Sequence, residues 1–235
     1  MISIIIPAYN SASFIDECIS SIKNSATDIS YEILLGIDNC EDTLSHIKNN
    51  TEKFKDVNTF YFDVNVGPYV IKNTLSQIAK YDKMLFFDAD DILCDHTLEE
   101  LSLMVLSSDF IKLNYRNFDT VKENIGAIES EILSDAVICI DKEVFKKLKG
   151  FYPWRCAADS EFERRLNFNG AVSNKPESVS YYRRVHSNNL TVRPETNLKS
   201  KIREVYRNII RQNIVDNNWP NPEEIAIEKY TKIDL

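Results

Sequence analysis

Residues 84–91 read Met84-Leu85-Phe86-Phe87-Asp88-Ala89-Asp90-Asp91 and give the clearest indication of the fold. A short apolar run, typical of a buried strand, is followed by three carboxylates within four residues. In open α/β sheets, ligands bind beyond the carboxyl ends of the strands. Closely spaced carboxylates repel one another unless a cation or hydrogen-bond donors offset their charge. The segment therefore predicts a site for a divalent cation such as Mg²⁺ or Mn²⁺, with an acidic turn that caps the next helix as the alternative.

Apolar strand patterns alternate with helical patterns through the first half of the chain. Strands are predicted at residues 2–6, 32–37, 59–62 and 84–87, and helices at 13–23, 43–54, 68–80 and 97–106. The first strand is rich in isoleucine, as expected for a strand that is buried on both faces. Strands that alternate with helices in this way predict a parallel α/β sheet with right-handed connections.

The second half is less regular. Strands are predicted at 110–114, 136–140 and 178–185, and helices at 141–148, 159–168 and 196–215. The last fifteen residues are polar, carry Pro220 and Pro222, and are expected to form a loose tail. With no internal repeat and no linker composition, the sequence predicts one α/β domain. Its mostly parallel central sheet is flanked by helices, and a small β-rich portion follows at the C-terminal end.

The composition disfavours several classes of protein. The chain has 235 residues, of which 43% are hydrophobic and 27% charged, as is typical of a globular domain with its own core. Lys and Arg number 28 against 36 Asp and Glu, so we expect no nucleic-acid partner. Five widely spaced cysteines argue against a disulfide framework and favour a cytoplasmic protein. We also expect no membrane span, because no apolar run approaches the roughly 18 residues required.

Polar side chains follow the other predicted strands at their carboxyl ends. The first strand is followed by Pro7-Ala8-Tyr9-Asn10, the second by Asp38-Asn39-Cys40-Glu41-Asp42, and the third by Asn65-Val66-Gly67-Pro68. Each segment taken alone is an ordinary turn. Together they place an aromatic face and a carboxylate acceptor, which suit a nucleobase, beside a glycine that lets a phosphate or sugar approach the backbone.

Six segments in order carry a resemblance to a known family. They are I-S-I-I-I-P-A-Y-N, the Asp38 turn, N-V-G-P-Y-V-I-K-N, F-F-D-A-D-D, A-A-D-S-E-F and Y-Y-R-R-V-H-S-N-N-L-T. Over residues 2–193 the chain resembles the family 2 glycosyltransferases, which have the GT-A fold. The resemblance implies a donor-binding half at about 1–95 and an acceptor and catalytic half at about 96–218. Residues 219–235 are then the C-terminal tail.

The resemblance implies how a nucleotide-sugar would bind. Pro7, Tyr9 and Asp38 match family positions that hold the base and ribose, and Asp88 matches one that contacts the ribose or the sugar. Further donor-binding residues that the resemblance and its neighbouring segments imply are Ala8, Asn10, Asn65, Gly67, Lys72, Ala89, Arg184 and Arg193. UDP is the nucleotide that the resemblance favours.

The resemblance also implies a metal site and a catalytic base. Asp90 matches the position that binds Mn²⁺ or Mg²⁺, and His186 matches a histidine that often completes the metal or pyrophosphate site. Asp159 matches the base of inverting members. Strand alternation puts Arg184 on the same face as His186, which makes Arg184 a better phosphate ligand than Arg183.

Taken without the resemblance, these residues have other interpretations, and the chain departs from the family at three places. Asp159 begins a predicted helix and could act only as its cap, and a lone histidine such as His186 is more often structural than a ligand. Residues 38–42 read D-N-C-E-D, where paired Asp followed by Gly and Ser is usual. Lys72 stands where many members have Arg, and Ala158 where Glu is usual.

The expected function is therefore that of an inverting, metal-dependent glycosyltransferase. It would move a sugar from a nucleotide-sugar to the hydroxyl of an acceptor glycan, lipid-linked saccharide or glycoprotein. The alternative is a non-catalytic module that binds nucleotide-sugars or assists assembly. A nucleotidyltransferase would need a Gly-rich phosphate loop near the N-terminus, and residues 7–13 contain no Gly.

The last prediction concerns the helix predicted at 196–215. It carries a basic stripe that could touch an anionic membrane, although a solvated helix face is the favoured interpretation.

Overall fold

The computed structural model describes residues 1–25, 29–104, 107–119 and 132–235. Four parallel strands form the first half, namely β1 (Ile2–Ala8), β2 (Tyr31–Asp38), β3 (Val57–Phe62) and β4 (Lys83–Phe86). The helices of this half are α1 (Ile15–Ser25), α2 (Glu41–Asn49), α3 (Thr51–Phe54), α4 (Pro68–Ile78) and α5 (Thr97–Met104). The predicted alternation of strand and helix is confirmed. Residues 105 and 106 of the helix predicted at 97–106 lie outside the described residues.

The second half adds strands of both directions. They are β5 (Ile92–Leu93), β6 (Phe110–Asp119), β7 (Ile132–Asp141), β8 (Ser173–Asn174), β9 (Tyr181–Val185) and β10 (Thr231–Ile233). Its helices are α6 (Lys142–Lys147), α7 (Ala158–Phe168) and α8 (Lys201–Asp216). Within the described ranges the strands form one sheet in the order β10-β3-β2-β1-β4-β7-β6-β9-β5, with β8 beside β6. Because β7 pairs antiparallel with β4, the sheet is mixed beyond its parallel first half.

Hydrophobic clusters cover both faces of the sheet. Ile4 and Ile6 of β1 lie in a cluster with apolar residues of α1, α2 and α5. Ile5 lies in a second cluster with residues of α4, α6 and α7. Since successive side chains of a strand point to opposite faces, β1 must be apolar on both. This explains the isoleucine-rich run at the start of the sequence.

Two helices differ most from their predicted bounds, and capping accounts for both differences. The helix predicted at 43–54 is interrupted at Asn50, whose φ is −128° and whose side-chain amide donates to the carbonyl of His46 at 2.8 Å. The helix predicted at 196–215 begins at Lys201, where the Ser200 side chain accepts the amide of Arg203 at 3.4 Å. Among the described residues, no helix combines the length and apolarity needed to cross a bilayer.

The C-terminal residues differ from the loose tail that the sequence predicts. Residues 231–233 form β10, which pairs antiparallel with β3 at the edge of the sheet. The ring of Tyr230 packs on Phe60 and Phe62, with centroids 5.1 and 5.9 Å apart. The backbone N–H and C=O groups on the outer side of an edge strand lack hydrogen-bond partners. A short polar segment can provide these partners, and here one aromatic residue anchors that segment.

Close packing of α4 on β2 requires a glycine. Gly36 lies in β2, and a Cβ atom built on it would stand 2.4 Å from Cγ2 of Ile71. The same Cβ would be 3.1 Å from Leu75 and 3.2 Å from Phe62. These distances are below van der Waals contact, so the helix sits as close to the sheet as the backbone allows.

Replacing this glycine is expected to destabilise the fold. Gly36→Ala should lower the free energy of unfolding by about 1–3 kcal/mol, because a methyl group must be accommodated in a packed core. Urea denaturation measures this change. Ser20→Ala on the exposed side of α1 is the control and should change stability by less than about 0.5 kcal/mol. Equal stability of the two variants would contradict the close-packing argument.

Candidate functional site

A cavity of about 1070 Å³ opens at the carboxyl ends of β1, β2 and β4. The segment after β9 and the first turn of α7 complete its walls. The lining residues that were selected from the sequence are Pro7, Ala8, Tyr9, Asn10, Asp38, Asn65, Gly67, Lys72, Asp88, Ala89, Asp90, Asp159, His186 and Arg193. This strand-end cavity therefore joins the predicted donor-side residues to Asp159 in one continuous space.

Asp38 organises the loop that follows β3. Its side-chain oxygens accept the backbone amides of Val66 at 2.7 Å and Gly67 at 3.0 Å. Its carbonyl oxygen accepts the side-chain amide of Asn65 at 3.2 Å. Burial raises the pKa of Asp38, and the two backbone amides and the charge of Arg155 act against this rise. The carboxylate thus shapes the floor of the cavity as well as lining it.

The unusual turn D-N-C-E-D is tied to the loop after β1 through its cysteine. The Cys40 thiol lies 3.4 Å from the side-chain oxygen of Asn10, and its sulfur accepts the Asn10 backbone amide at 3.3 Å. Thr43, in the first turn of α2, contacts the same sulfur at 3.2 Å and accepts the amide of Ser11 at 3.0 Å. A cysteine therefore connects the two loops that border the aromatic face of Tyr9.

Lys72 projects from α4 into the strand-end cavity from a buried position. Only 2% of its surface is exposed, and its ammonium donates to a carboxylate oxygen of Asp88 at 3.2 Å. It also donates to the carbonyl of Ala136 at 3.5 Å. A buried ammonium is stable only with such partners. Lys72 thus balances the charge of the first carboxylate after β4.

Asp90 is held by a histidine and an asparagine from the segment after β9. One carboxylate oxygen of Asp90 contacts Nε2 of His186 at 2.7 Å and accepts the side-chain amide of Asn189 at 3.1 Å. The side-chain oxygen of Asn189 in turn accepts the His186 backbone amide at 2.7 Å. Two residues that are 96 positions apart in the sequence are therefore in direct contact.

The tautomer of His186 is decided by the hydrogen bond that its Nδ1 atom makes. Nδ1 accepts the backbone amide of Asn188 at 3.2 Å, so the proton of the neutral ring sits on Nε2 and points at Asp90. This assignment rests on the hydrogen-bond network. Among the residues that the structure describes, no group of three or more His, Cys, Asp or Glu side chains is placed to hold a metal ion.

Arg184 is not among the residues that line the strand-end cavity, so the structure does not bring it together with the other predicted donor-binding residues. The side chain is 2% exposed, donates through Nη2 to Glu17 and through Nε to the carbonyl of Asp90 at 2.8 Å. Its guanidinium lies 5.0 Å from the ring centroid of Phe14 and 4.6 Å from that of Phe118. Two aromatic rings and a carboxylate from α1 therefore hold Arg184 behind the cavity wall.

Asp91, the third carboxylate after β4, also has a structural role. It is 3% exposed, and one of its oxygens accepts the backbone amide of Arg184 at 2.9 Å. Burial and the neighbouring charges of Asp90 and Asp88 raise its pKa well above the ordinary value for aspartate. This side chain therefore fixes the end of β9 against the turn after β4.

Two other arginines reach the cavity from the β9 side. Arg193 lies over the ring of Tyr9, with its guanidinium carbon 5.2 Å from the ring centroid. Arg183 donates to side-chain oxygens of Asn117 and Thr191, both at 3.2 Å. Both arginines line the cavity, so positive charge faces the carboxylates that follow β4. Alternation groups Arg184 with His186, but Arg183 is the arginine of this pair that lines the cavity.

Asp159 lies in the first turn of α7, and a tyrosine from α4 contacts it. The side chain is half-buried, and one carboxylate oxygen accepts the backbone amide of Ser160 at 2.9 Å. The phenol of Tyr69 forms a hydrogen bond with the Asp159 side chain. The residue before the helix, Ala157, has a left-handed backbone with a φ of 65°. The carboxylate thus faces the cavity from a rigid helix start.

Sequence reasoning missed several residues that line the cavity. Among them are Tyr69, Arg155 and Asn189, whereas Arg183 was compared with Arg184 and not selected. Arg155 donates to the side chain of Asn65 at 2.6 Å and to its carbonyl at 2.9 Å, bridging the loop after β3 to the segment before α7. Tyr69 and Asn189 lie inside segments that carried the family resemblance, so their positions were visible. Their contacts depend on tertiary packing and left no local signal.

Comparison with known proteins supports the resemblance. The model of "Glycosyl transferase family 2" matches residues 3–118. An uncharacterised glycosyltransferase of Haemophilus influenzae is 26% identical over 148 residues, which cover 62% of this chain and 59% of that protein. A poly(ribitol-phosphate) beta-glucosyltransferase of Bacillus spizizenii is 36% identical over 100 residues, covering 41% of this chain and 16% of that protein. The chain therefore spans about three fifths of the first relative and a small part of the second.

Solved structures share the fold. TarS of S. aureus in complex with UDP-GlcNAc has a TM-score of 0.66 and 20% identity, with 80% of this chain and 59% of that chain covered. The mannosyltransferase PcManGT of Pyrobaculum calidifontis, in complex with GDP-Man and Mn²⁺, has a TM-score of 0.65 and 18% identity. That match covers 89% of this chain and 64% of that one. At these identities the likeness establishes the architecture.

The sheet order, the strand-end cavity and the similar solved structures together show that the protein has the GT-A fold. Over residues 3–118 the chain is similar to family 2 of the glycosyltransferases, and its relatives are glycosyltransferases by name.

The role of Asp38 in the loop after β3 can be tested by an isosteric change. Asp38→Asn presents one acceptor oxygen and one amino group to the backbone amides of Val66 and Gly67, so one buried amide loses its partner. We expect a loss of about 1–3 kcal/mol in the free energy of unfolding. Urea denaturation measures it, with Asp63→Asn at an exposed position as the control. The loop argument fails if the two variants are equally stable.

Proposed function

We propose that this chain transfers a sugar from a nucleotide-sugar, with UDP as the nucleotide, to an acceptor hydroxyl with inversion at the anomeric carbon. The observation that carries the proposal is the single cavity that runs from Tyr9 and Asp38 to Asp159. A donor bound along the strand ends and an acceptor beside α7 would meet inside it. The family and fold support the same reaction class.

The donor side of the cavity offers an aromatic ring and several positively charged side chains. Tyr9 is 40% exposed and Arg193 lies over its ring, so a base that stacks on the ring has a cationic neighbour. Lys72 and Arg183 bring further positive charge to the same cavity. A leaving nucleoside diphosphate carries negative charge that such groups stabilise. The neighbours in complex with UDP-GlcNAc and with GDP-Man support a nucleotide-sugar as the ligand class.

Asp159 is the proposed general base. Its carboxylate takes the proton of the acceptor hydroxyl while the oxygen attacks the anomeric carbon and the bond to the diphosphate breaks. The start of α7 favours a negative charge at this position. A positioned base of this kind contributes about 10²–10⁴ in rate. The name of the Bacillus spizizenii relative, a beta-glucosyltransferase, is consistent with inversion of an α-linked donor.

Asp90 and His186 are the proposed ligands of Mn²⁺ or Mg²⁺. They offer a carboxylate oxygen and a ring nitrogen, both of which suit such cations. The pair would hold a cation that also takes oxygens from the donor once the ring proton of His186 has moved from Nε2 to Nδ1, which then no longer accepts the Asn188 amide. A divalent cation supplies positive charge to the leaving diphosphate. The Mn²⁺ in the mannosyltransferase complex supports this proposal.

For the acceptor we propose a chemical class, and for the location a cellular compartment. We propose a hydroxyl of a glycan, a lipid-linked saccharide or a glycoprotein as the acceptor, and the cytoplasm as the location. The 1–218 segment would form the transferase domain, with the donor side at about 1–95 and the acceptor side at about 96–218. β10 then attaches residues 219–235 to the sheet edge rather than leaving them free.

Removing the base tests the proposed reaction. Asp159→Asn should lower kcat by about 10²–10⁴ and leave donor affinity close to wild type, because the donor-side residues are unchanged. UDP-glucose, UDP-GlcNAc and GDP-mannose are assayed with Mn²⁺ for consumption, and affinity is measured by calorimetry. Asp216→Asn at the end of α8, outside the cavity, is the matched control.

Three outcomes decide the proposal. Near-normal turnover in Asp159→Asn, or a product that keeps the donor's anomeric configuration, would contradict the proposed base. Donors that bind to wild type without ever being consumed would favour the non-catalytic module. Equal affinity for UDP and GDP would contradict selection of the base by Tyr9 and its neighbours.

Metal dependence has its own test. EDTA treatment should abolish donor turnover, and added Mn²⁺ or Mg²⁺ should restore it. Asp90→Asn should weaken Mn²⁺-dependent UDP binding by at least tenfold, since one of two protein ligands loses its charge. Asp63→Asn serves again as the control. Full turnover in EDTA would contradict the metal proposal and leave the base proposal intact.

A further inference from the structure

One face of α4 contacts both sides of the strand-end cavity. Tyr69, Lys72 and Asn73 are spaced i, i+3 and i+4, which places them on the same side of the helix. Lys72 pairs with Asp88 on the donor side. Asn73 donates to the carbonyl of Phe151 at 2.8 Å and accepts its backbone amide at 2.9 Å, which fixes the segment that leads to α7. The function of Tyr69 on this face is the remaining question.

The phenol of Tyr69 is buried and directed at the proposed base. Its side chain is 5% exposed, and its ring packs on Phe151 with centroids 5.4 Å apart. The Lys72 ammonium lies 5.9 Å from the same ring centroid. The hydroxyl forms a hydrogen bond with the Asp159 side chain, and both residues line the cavity. Packing therefore leaves the phenol little freedom to point elsewhere.

We propose that Tyr69 is a positioning residue for Asp159, an inference that rests on the proposed function of that carboxylate. The phenol donates its proton to one carboxylate oxygen and so fixes the rotation of the group. The carboxylate held in this orientation accepts the acceptor's proton. In the transfer step the acceptor O–H proton moves to Asp159, the new C–O bond forms and the bond from C1 to the diphosphate oxygen breaks. Tyr69 keeps its own proton throughout.

The charges around Tyr69 agree with a protonated phenol that donates a hydrogen bond to Asp159. Burial is the main cause that raises the pKa of Tyr69 well above its ordinary value, followed by the charge of Asp159. A phenol with a raised pKa stays protonated at neutral pH and cannot itself act as the base. The other charged or titratable groups around this pair are Lys72, Asp88, Cys156 and, from α8, Arg203 and Arg207.

The test removes one hydroxyl and keeps the ring. Tyr69→Phe should lower kcat by about 10- to 100-fold with an unchanged affinity for UDP, because the base is present but misoriented. The acidic limb of the kcat–pH profile should move to higher pH, since a lost hydrogen bond no longer stabilises the charged carboxylate. Tyr152→Phe is the matched control, as its phenol donates to the carbonyl of Pro220 at 3.0 Å outside the cavity.

A double mutant separates this inference from the proposed function. If Tyr69 acts through Asp159, adding Tyr69→Phe to Asp159→Asn causes little further loss. Independent, multiplicative losses would overturn the positioning role, as would an unchanged kcat and pH profile in Tyr69→Phe. Near-normal turnover in Asp159→Asn would instead contradict the base itself. The two failures are therefore distinguishable.

A further measurement needs neither substrate nor a Tyr69 variant. The ¹³Cζ resonance of Tyr69 is compared in wild type and in Asp159→Asn, because the shift of this carbon reports whether the phenol donates to a carboxylate. We expect a clear difference at Tyr69 and none at Tyr152. Identical Tyr69 resonances in the two proteins would overturn the inference.

Discussion

The close contact between β2 and α4 is the constraint on which the site depends. Gly36 allows the helix to approach the sheet until Ile71 touches the strand backbone. That approach brings the Lys72 ammonium, 2% exposed, to the carboxylate of Asp88 at the end of β4. A buried ammonium without its partner would be costly, and carboxylates without compensation would repel one another.

Three acidic side chains can follow β4 because each is compensated by a different element. Asp88 is paired with Lys72 of α4, and Asp90 is bonded to His186 and Asn189 after β9. Asp91 accepts a backbone amide from β9 and is the most deeply buried of the three. The acidic cluster thus connects the parallel half of the sheet to the mixed half. The same contacts that offset its charge also assemble the two halves of the cavity.

Much of this arrangement could be predicted from the sequence. Periodicity and strand-end polarity identified the parallel sheet and the edge where ligands bind, because these features are local. Arg184 shows the limit of such reasoning. Alternation grouped it with His186, but Arg184 packs against Phe14 and Phe118, which come from distant elements, whereas Arg183 lines the cavity. β10 was missed for a similar reason, since its stability comes from pairing with β3 rather than from its own pattern.

The helix α8 shows the same limit and leads to a consequence for catalysis. Its spacing predicts an apolar face, yet Val205 is 56% exposed, and the helix attaches instead by stacking Tyr206 on Trp154 with centroids 4.4 Å apart. Trp154 belongs to the segment that precedes α7. Asn73 donates to the carbonyl of Phe151 at the start of this segment. Arg155, the residue after Trp154, donates to the carbonyl of Asn65 in the loop after β3. A segment held from three directions fixes the start of α7 before any substrate arrives. The proposed base is therefore oriented in advance, and the acceptor need not organise it during binding.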